Sequence, residues 1–459
     1  MTACSIEPAA AERDDRAPRS GCVITADGAY AARLAADGDS WFPQRWTLDG
    51  PEPYAVPLPG NQPEEPGTEV QPMGDGRVLI RRPTDGRQLF SLLYPTGPGT
   101  GELPLGAVES PEDTRLRLLP PAPCGTRAYA LAVGPRSSAV WLVAGGAFGP
   151  EHVAQIPGRC SGGVWLDRAG RMLVLDRRDA DGGPVKSVVV DLERGGEVSP
   201  LLQIAADSDD RLLLADPDSG LLLIGSDAPS PGEERLGWGV IGSTLPVRFP
   251  ECLRVEGFHV TPFAVQPGLV LMPESCAVAL RVEGPEGEWV GVWRPADRQA
   301  RHFPAPDGWL TGSGLWTRDG ALHLPYATTT VPCGVLRWRT PWGDAGDVGD
   351  VGAAVDAGAT GNAGGSGGTG ARGVTGDPEA LDATGDPETP GDVRKSGDAG
   401  DVWGQAGEAW EEAGAAWPAG PGGPGAAAEM SADPDPTTPL SPPRPVPLQQ
   451  APLGRLVSR

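Results

Sequence analysis

Lysine is almost missing from this chain. Lys186 and Lys395 stand alone against 35 arginines in 459 residues, a bias typical of a GC-rich genome and silent on mechanism. Cations are scarce overall, since 37 Lys and Arg face 61 Asp and Glu, a net charge of −24. Such a chain repels a phosphate backbone instead of displacing its counterions, which argues against nucleic acid as a partner. An anionic membrane surface is disfavoured on the same ground. The charge favours solubility and a basic partner. Long apolar runs are absent too: nothing approaches the ~20 residues a membrane helix needs. Met1 to Ser20 lacks the apolar centre of a secretory leader, so a cytoplasmic location is expected.

Catalytic and metal-binding patterns are equally thin. The seven cysteines (Cys4, Cys22, Cys124, Cys160, Cys252, Cys276, Cys333) are odd in number, widely spaced and never Cys-x-x-Cys. They read as buried reduced thiols, not as a disulfide framework or a zinc site. Of four histidines (His152, His259, His302, His323), no two have a metal-binding spacing. Glu256 lies three residues before His259, which in a strand places the two on opposite faces and not in an acid–base pair. No Gly-x-Ser-x-Gly elbow occurs, and Pro98-Gly99-Thr100-Gly101 lacks the lysine of a phosphate-cradling loop. Gly312-Ser313-Gly314 is half a dinucleotide fingerprint without its helix. Asp216-Pro217-Asp218-Ser219-Gly220 and Asp179-Ala180-Asp181-Gly182-Gly183 read as turns, because neither carries the ligand series of a calcium loop. The reading therefore assigns no catalytic residue, no metal and no cofactor.

What is present is repetition. A tight turn, often followed by Arg, opens a short apolar strand at Asp75-Gly76-Arg77-Val78-Leu79-Ile80 and at Ala169-Gly170-Arg171-Met172-Leu173-Val174. The unit returns at Asp209-Asp210-Arg211-Leu212-Leu213-Leu214 and, more loosely, at Asp319-Gly320-Ala321-Leu322-His323-Leu324. Runs such as 140–143, 187–190, 221–224 and 269–272 are apolar at consecutive positions, as in strands covered on both faces. Several units close on a proline, at Pro57, Pro157, Pro250 and Pro304, where a strand ends or faces solvent. Gly163-Val164-Trp165-Leu166 and Gly314-Leu315-Trp316 match across two units and place a Trp on an innermost strand. The partition that follows has seven blades, near 21–60, 68–106, 114–157, 159–202, 204–249, 251–304 and 308–342, with six or eight also compatible with the edges.

On these units, residues 21–342 resemble bacterial β-propeller repeat proteins of the WD40-like or NHL/YVTN-like kind. The Gly-His and Trp-Asp dipeptides of true WD40 repeats are missing. A tandem pair of β-sandwiches is the runner-up. The resemblance implies an all-β fold whose ring closes when one terminus lends a strand to the other, and residues 21–35 are the expected lender.

Beyond the propeller, residues 343–459 hold 18 acidic and 6 basic residues, a net of −12. Their Gly, Ala and Pro richness predicts a disordered tail, and 1–20 is read as a loose leader to the fold. Trp403, Trp410 and Trp417 recur every seven residues, which would share one face of a helix and suit a docking peptide, against the alternative of mere duplication. Pro442-Pro443-Arg444-Pro445-Val446-Pro447 has polyproline character and reads as a stiff spacer. The functional expectation is a non-catalytic scaffold that presents a rim surface to a protein, with Trp165, Trp316, Trp403, Trp410 and Trp417 as candidate binding residues. The alternative is a hydrolase, a lyase or a carbohydrate-binding protein acting at the mouth of the central channel.

Overall fold

In a computed structural model of the chain the described residues are 21–339, without 269, 270 and 286. They form a seven-bladed, all-β propeller. Blade one holds Val23–Ile24, Tyr30–Asp37, Ser40–Thr47 and Tyr54–Pro57; blade two holds Glu69–Pro72, Val78–Thr84, Arg87–Pro95 and Thr100–Glu109. Blade three comprises Arg115–Leu118, Ala128–Val133, Ser137–Ala144 and Glu151–Pro157, and blade four Arg159–Trp165, Met172–Arg178, Lys186–Asp191 and Glu197–Leu202. Blade five has Asp210–Ala215, Leu221–Ser226 and Arg235–Val240, with a lone bridge from Trp238 to Arg248 in place of a fourth strand. Blade six contains His259–Val265, Val278–Gly284, Gly287–Trp293 and Arg301–Pro304. Blade seven has three strands among the described residues, Leu315–Trp316, Ala321–Tyr326 and Gly334–Arg339. Within each blade consecutive strands pair antiparallel, and one parallel bridge between Lys186 and Asp210 ties blade four to blade five. The sheets fall inside the sequence partition, except that the outer strand of blade two runs on to Glu109.

One local device builds most innermost hairpins. A side-chain oxygen at the start of the turn accepts a backbone N–H at its end, and a glycine fills the left-handed position between. Asp75 Oδ1 accepts from Arg77 N, Asp167 Oδ1 from Arg171 N, and Thr317 Oγ1 from Ala321 N, at 3.0, 2.9 and 3.0 Å. At Gly76, φ is +81° and a Cβ would meet the Tyr30 ring at 3.0 Å, so only glycine fits without a shift. Three of the four sequence units open second strands in this way. The fourth does not. Asp209–Leu214 lies on the innermost strand of blade five, and Ser219-Gly220 opens the second strand there. A turn residue next to an apolar run marks a strand start without saying which strand it is. The 269–272 run also departs from expectation: Leu271 and Met272 belong to no strand, and Met272 is 69% exposed.

Apolar clusters fill the gaps between blades. Leu131, Val140, Ile156, Leu173, Leu175 and Val190 join blades three and four, and Trp293, Leu223, Leu280 and Val278 join five and six. Neighbouring blades cover both faces of the inner strands, hence their unbroken apolar runs. Closure differs from expectation. Val23–Ile24 pairs only with blade one's own second strand, so residues 21–35 lend no strand to blade seven. The seam is held instead by side chains. Ser313 Oγ donates to Cys22 O at 2.7 Å and accepts from Cys22 N at 3.0 Å. Arg337 Nη2 donates to Gly50 O at 2.9 Å, and Cys22, Ala31, Trp46 and Leu310 pack as a core. Burial pushes the thiols of Cys22 and Cys333 up to about 12, which fits their reading as reduced, inert groups.

Blades four and five share a buried polar junction. Ser187 Oγ donates to Asp176 Oδ1 at 2.6 Å, and Leu212 N donates to Ser187 Oγ and Asp176 Oδ1 at 2.9 and 3.1 Å. Burial raises the Asp176 carboxyl above the usual aspartate range, against the pull of those two donors. Folding thus favours the protonated acid. The stabilisation it brings is complete below the unfolded aspartate pKa of about 3.9 and is lost as pH rises through the higher folded value. Asp176→Asn removes that dependence. The melting temperature of the variant relative to the parent should therefore climb from about pH 4 to pH 7. Parallel pH profiles for the two proteins would refute the assignment.

Candidate functional site

Two surfaces stand out, one on the axis and one on the rim. Around the axis, residues from blades one, two, three, six and seven enclose a cavity of about 500 Å³. Its lining includes Val23 and Ile24, Thr68 to Gln71, Arg117 to Pro121, Phe263 and Gly312 to Leu315. Glu69 carries the only carboxylate of that lining, and it is committed to the protein. Its Oε2 accepts from Arg81 Nε at 2.9 Å and from Leu118 N at 2.7 Å. Arg117 donates to Gly162 O across to blade four. One polar side chain is left over: Thr68 is 3% exposed and its Oγ1 has no hydrogen-bond partner among the described residues. Gln71, 2% exposed, lines the same cavity.

On the rim, blades two and three present apolar side chains to solvent. Leu92 pairs with Leu103, which puts Leu103, Leu105 and Tyr94 on the sheet face that turns toward blade three. Tyr94 is 37% and Leu103 47% exposed. From blade three the turn 145–150 approaches blade two at Leu105 and Gly106 and carries Phe148, which is 96% exposed. The turn is held in place: Ala147 N donates to Glu151 Oε1 at 3.1 Å, and a Cβ on Gly149 would lie 2.6 Å from Leu105 O. An aromatic ring on a braced turn loses little further freedom on binding, the property of an interface anchor.

The predicted site residues lie elsewhere. Trp165 is 7% exposed, stacks at 5.4 Å on Tyr129 and donates its indole N–H to Pro120 O at 3.1 Å. Trp316 is 2% exposed in the core between blades six and seven. Both indoles pack the interior and present nothing to solvent. Trp403, Trp410 and Trp417 lie outside the described residues, as do the tail and the segment 1–20. Of the two matching segments around Trp165 and Trp316, 312–315 lines the cavity, whereas Gly163 abuts Leu119 and Pro120. The motif 216–220 is a turn whose carboxylates serve the protein: Asp216 Oδ2 accepts from Ser219 N and Gly268 N at 2.9 Å each, and Asp218 pairs with Arg168. Burial lowers the imidazoles of His302 and His323. No group of three His, Cys, Asp or Glu side chains is placed to hold a metal among the described residues. No helix there is long and apolar enough to cross a membrane.

Sequence reasoning passed over Thr68, Gln71 and Phe148. Nothing singled out the first two, since polar residues recur on other innermost strands, such as Arg115–Leu118 and Arg159–Trp165. For Phe148 there was no signal either, because an apolar residue in a Gly-rich turn looks the same whether it tucks in or stands out.

No family model matches the chain, and no curated protein does. Solved structures do resemble it. An oligogalacturonate lyase from Vibrio parahaemolyticus aligns at 10% identity and a TM-score of 0.44, over 70% of this chain and 89% of its own. The β-propeller domain of the Trilobed protease from Pyrococcus furiosus aligns at 10% identity and 0.44, over 69% and 93%. Sqt1 from Saccharomyces cerevisiae aligns at 12% identity and 0.42, over 72% and 85%.

Proposed function

We propose that this propeller is a non-catalytic scaffold that presents its rim to a protein partner. The carrying observation is Phe148, 96% exposed on a braced turn of blade three that lies against Leu105 of blade two, the blade that also exposes Tyr94 and Leu103. A single exposed apolar side chain needs no explanation, but apolar side chains gathered on adjoining blades mark an interaction surface. The partner is of basic character, because the chain as a whole is net −24 and like charge would oppose a second acidic surface. The Trp-bearing tail is a second contact, tethered to the same partner.

The test is a pull-down from native lysate with the full chain and with Phe148→Ser. Since the ring is exposed, the substitution should leave the melting temperature within about 1 °C, the range of surface changes below ~0.5 kcal/mol. It should nevertheless cut capture of the specific partner by about tenfold or more, as loss of an aromatic anchor does. Equal capture by both proteins would remove the rim from the reading.

A further inference from the structure

We propose that the axial cavity is a binding site for a small uncharged carbohydrate. This rests on the channel alone and is independent of the rim reading. Three observations converge.

The first is size: about 500 Å³ lies in the span of small-molecule sites, some 300–1,000 Å³. The second is an unfilled group: Thr68 is 3% exposed and its Oγ1 lacks a partner among the described residues, while Gln71, 2% exposed on the neighbouring innermost strand, lines the same cavity. Buried polar groups are normally satisfied, so an unfilled one facing a cavity points to what enters it. A primary amide offers a donor and an acceptor side by side, which matches two neighbouring hydroxyls. The Thr68 hydroxyl gives and takes in the same way. The third is charge. Glu69, the only carboxylate of the lining, is held by Arg81 and the Leu118 N–H, so it is not free to meet a cationic ligand, and the Arg117 guanidinium is turned to Gly162 O. The remaining wall is hydrocarbon, with Val70, Leu119, Leu315 and the Phe263 ring. A pyranose has C–H faces for such a wall and hydroxyl edges for the amide and the threonine.

The experiment titrates the full chain with neutral hexoses and with disaccharides built from glucose, galactose and mannose. Glucuronic and galacturonic acid serve as charged counterparts. Binding is read by saturation-transfer NMR and calorimetry. At least one neutral sugar should bind at millimolar concentration or better. Gln71→Leu and Thr68→Val should each weaken it about tenfold, the effect of one lost hydrogen-bonding group. Thr68→Val is nearly isosteric and carries the test if Gln71→Leu folds poorly. Absence of binding by every neutral sugar overturns the proposal. So does binding that both variants leave unchanged, or a preference for the uronic acids.

Discussion

Asp210→Ala should destabilise the propeller by about 3–5 kcal/mol, the cost of stranding one partner of a buried ion pair. Asp210 is 0% exposed and accepts four hydrogen bonds. They come from Lys186 Nζ at 2.7 Å, Ile204 N at 2.8 Å, Ser208 Oγ at 2.8 Å and Ser226 Oγ at 2.6 Å. The donors come from both blades four and five and the chain that joins them, so one carboxylate fixes where the two meet. Without it the Lys186 ammonium, 16% exposed, keeps only the carbonyls and hydroxyl around Ser208 as acceptors. Urea unfolding followed by tryptophan fluorescence measures the loss. The double variant Asp210→Ala with Lys186→Met separates two causes. If the stranded charge dominates, the second substitution restores part of the stability, because an apolar replacement of a buried pair is often close to neutral. If the hydroxyl and N–H donors dominate, the double variant is no better than the single one. A loss below about 1 kcal/mol for Asp210→Ala would show that the junction is wet and adaptable.

That junction also shows where sequence reading stops. Strands and turns were legible because they are set locally. Asp75-Gly76-Arg77 can only be a turn, and the apolar run after it can only be a strand covered on both sides. Four such units, further consecutive apolar runs and four proline-closed ends were enough to give a seven-blade partition. Everything that depends on the ring closing was not legible. Asp209-Asp210-Arg211 has the same local form as the other units, yet its strand is innermost and its carboxylate is a structural hub between blades. Trp165 and Trp316 sit on innermost strands, as read, but their side chains point between blades. An innermost strand shows its edge and alternate backbone groups to the axis, and its side chains to the neighbours. Thr68 and Gln71 became visible as cavity groups only once blades one, three, six and seven were in place around them. Phe148 depends on the geometry of one turn, which glycine-rich sequence leaves open.

Trp46→Ala should cost about 3–5 kcal/mol, as large-to-small changes of a buried aromatic do, and should open the ring at one place first. Trp46 is 0% exposed at the seam between the first and last blades. Its indole N–H donates to Gln44 Oε1 at 2.9 Å, and the Arg33 guanidinium lies 5.1 Å from its ring. Trp293, also 0% exposed, is the fair comparison, because it lies between blades five and six, inside the continuous ring. Both truncations remove similar apolar volume, so global stability should fall by similar amounts. The local response should differ. At the seam no shared strand backs up the packing among the described residues: what remains after Trp46 is the Ser313–Cys22 pair, the Arg337–Gly50 contact and the apolar contacts of Leu310, Ile24 and Leu48. Amide exchange in Trp46→Ala should therefore speed up selectively in blades one and seven under native conditions, well below the unfolding transition. In Trp293→Ala the same blades should stay protected. If Trp46→Ala speeds exchange evenly around all seven blades, the seam is as strong as any other junction. The ring would then be closed by something more than the side chains that meet there.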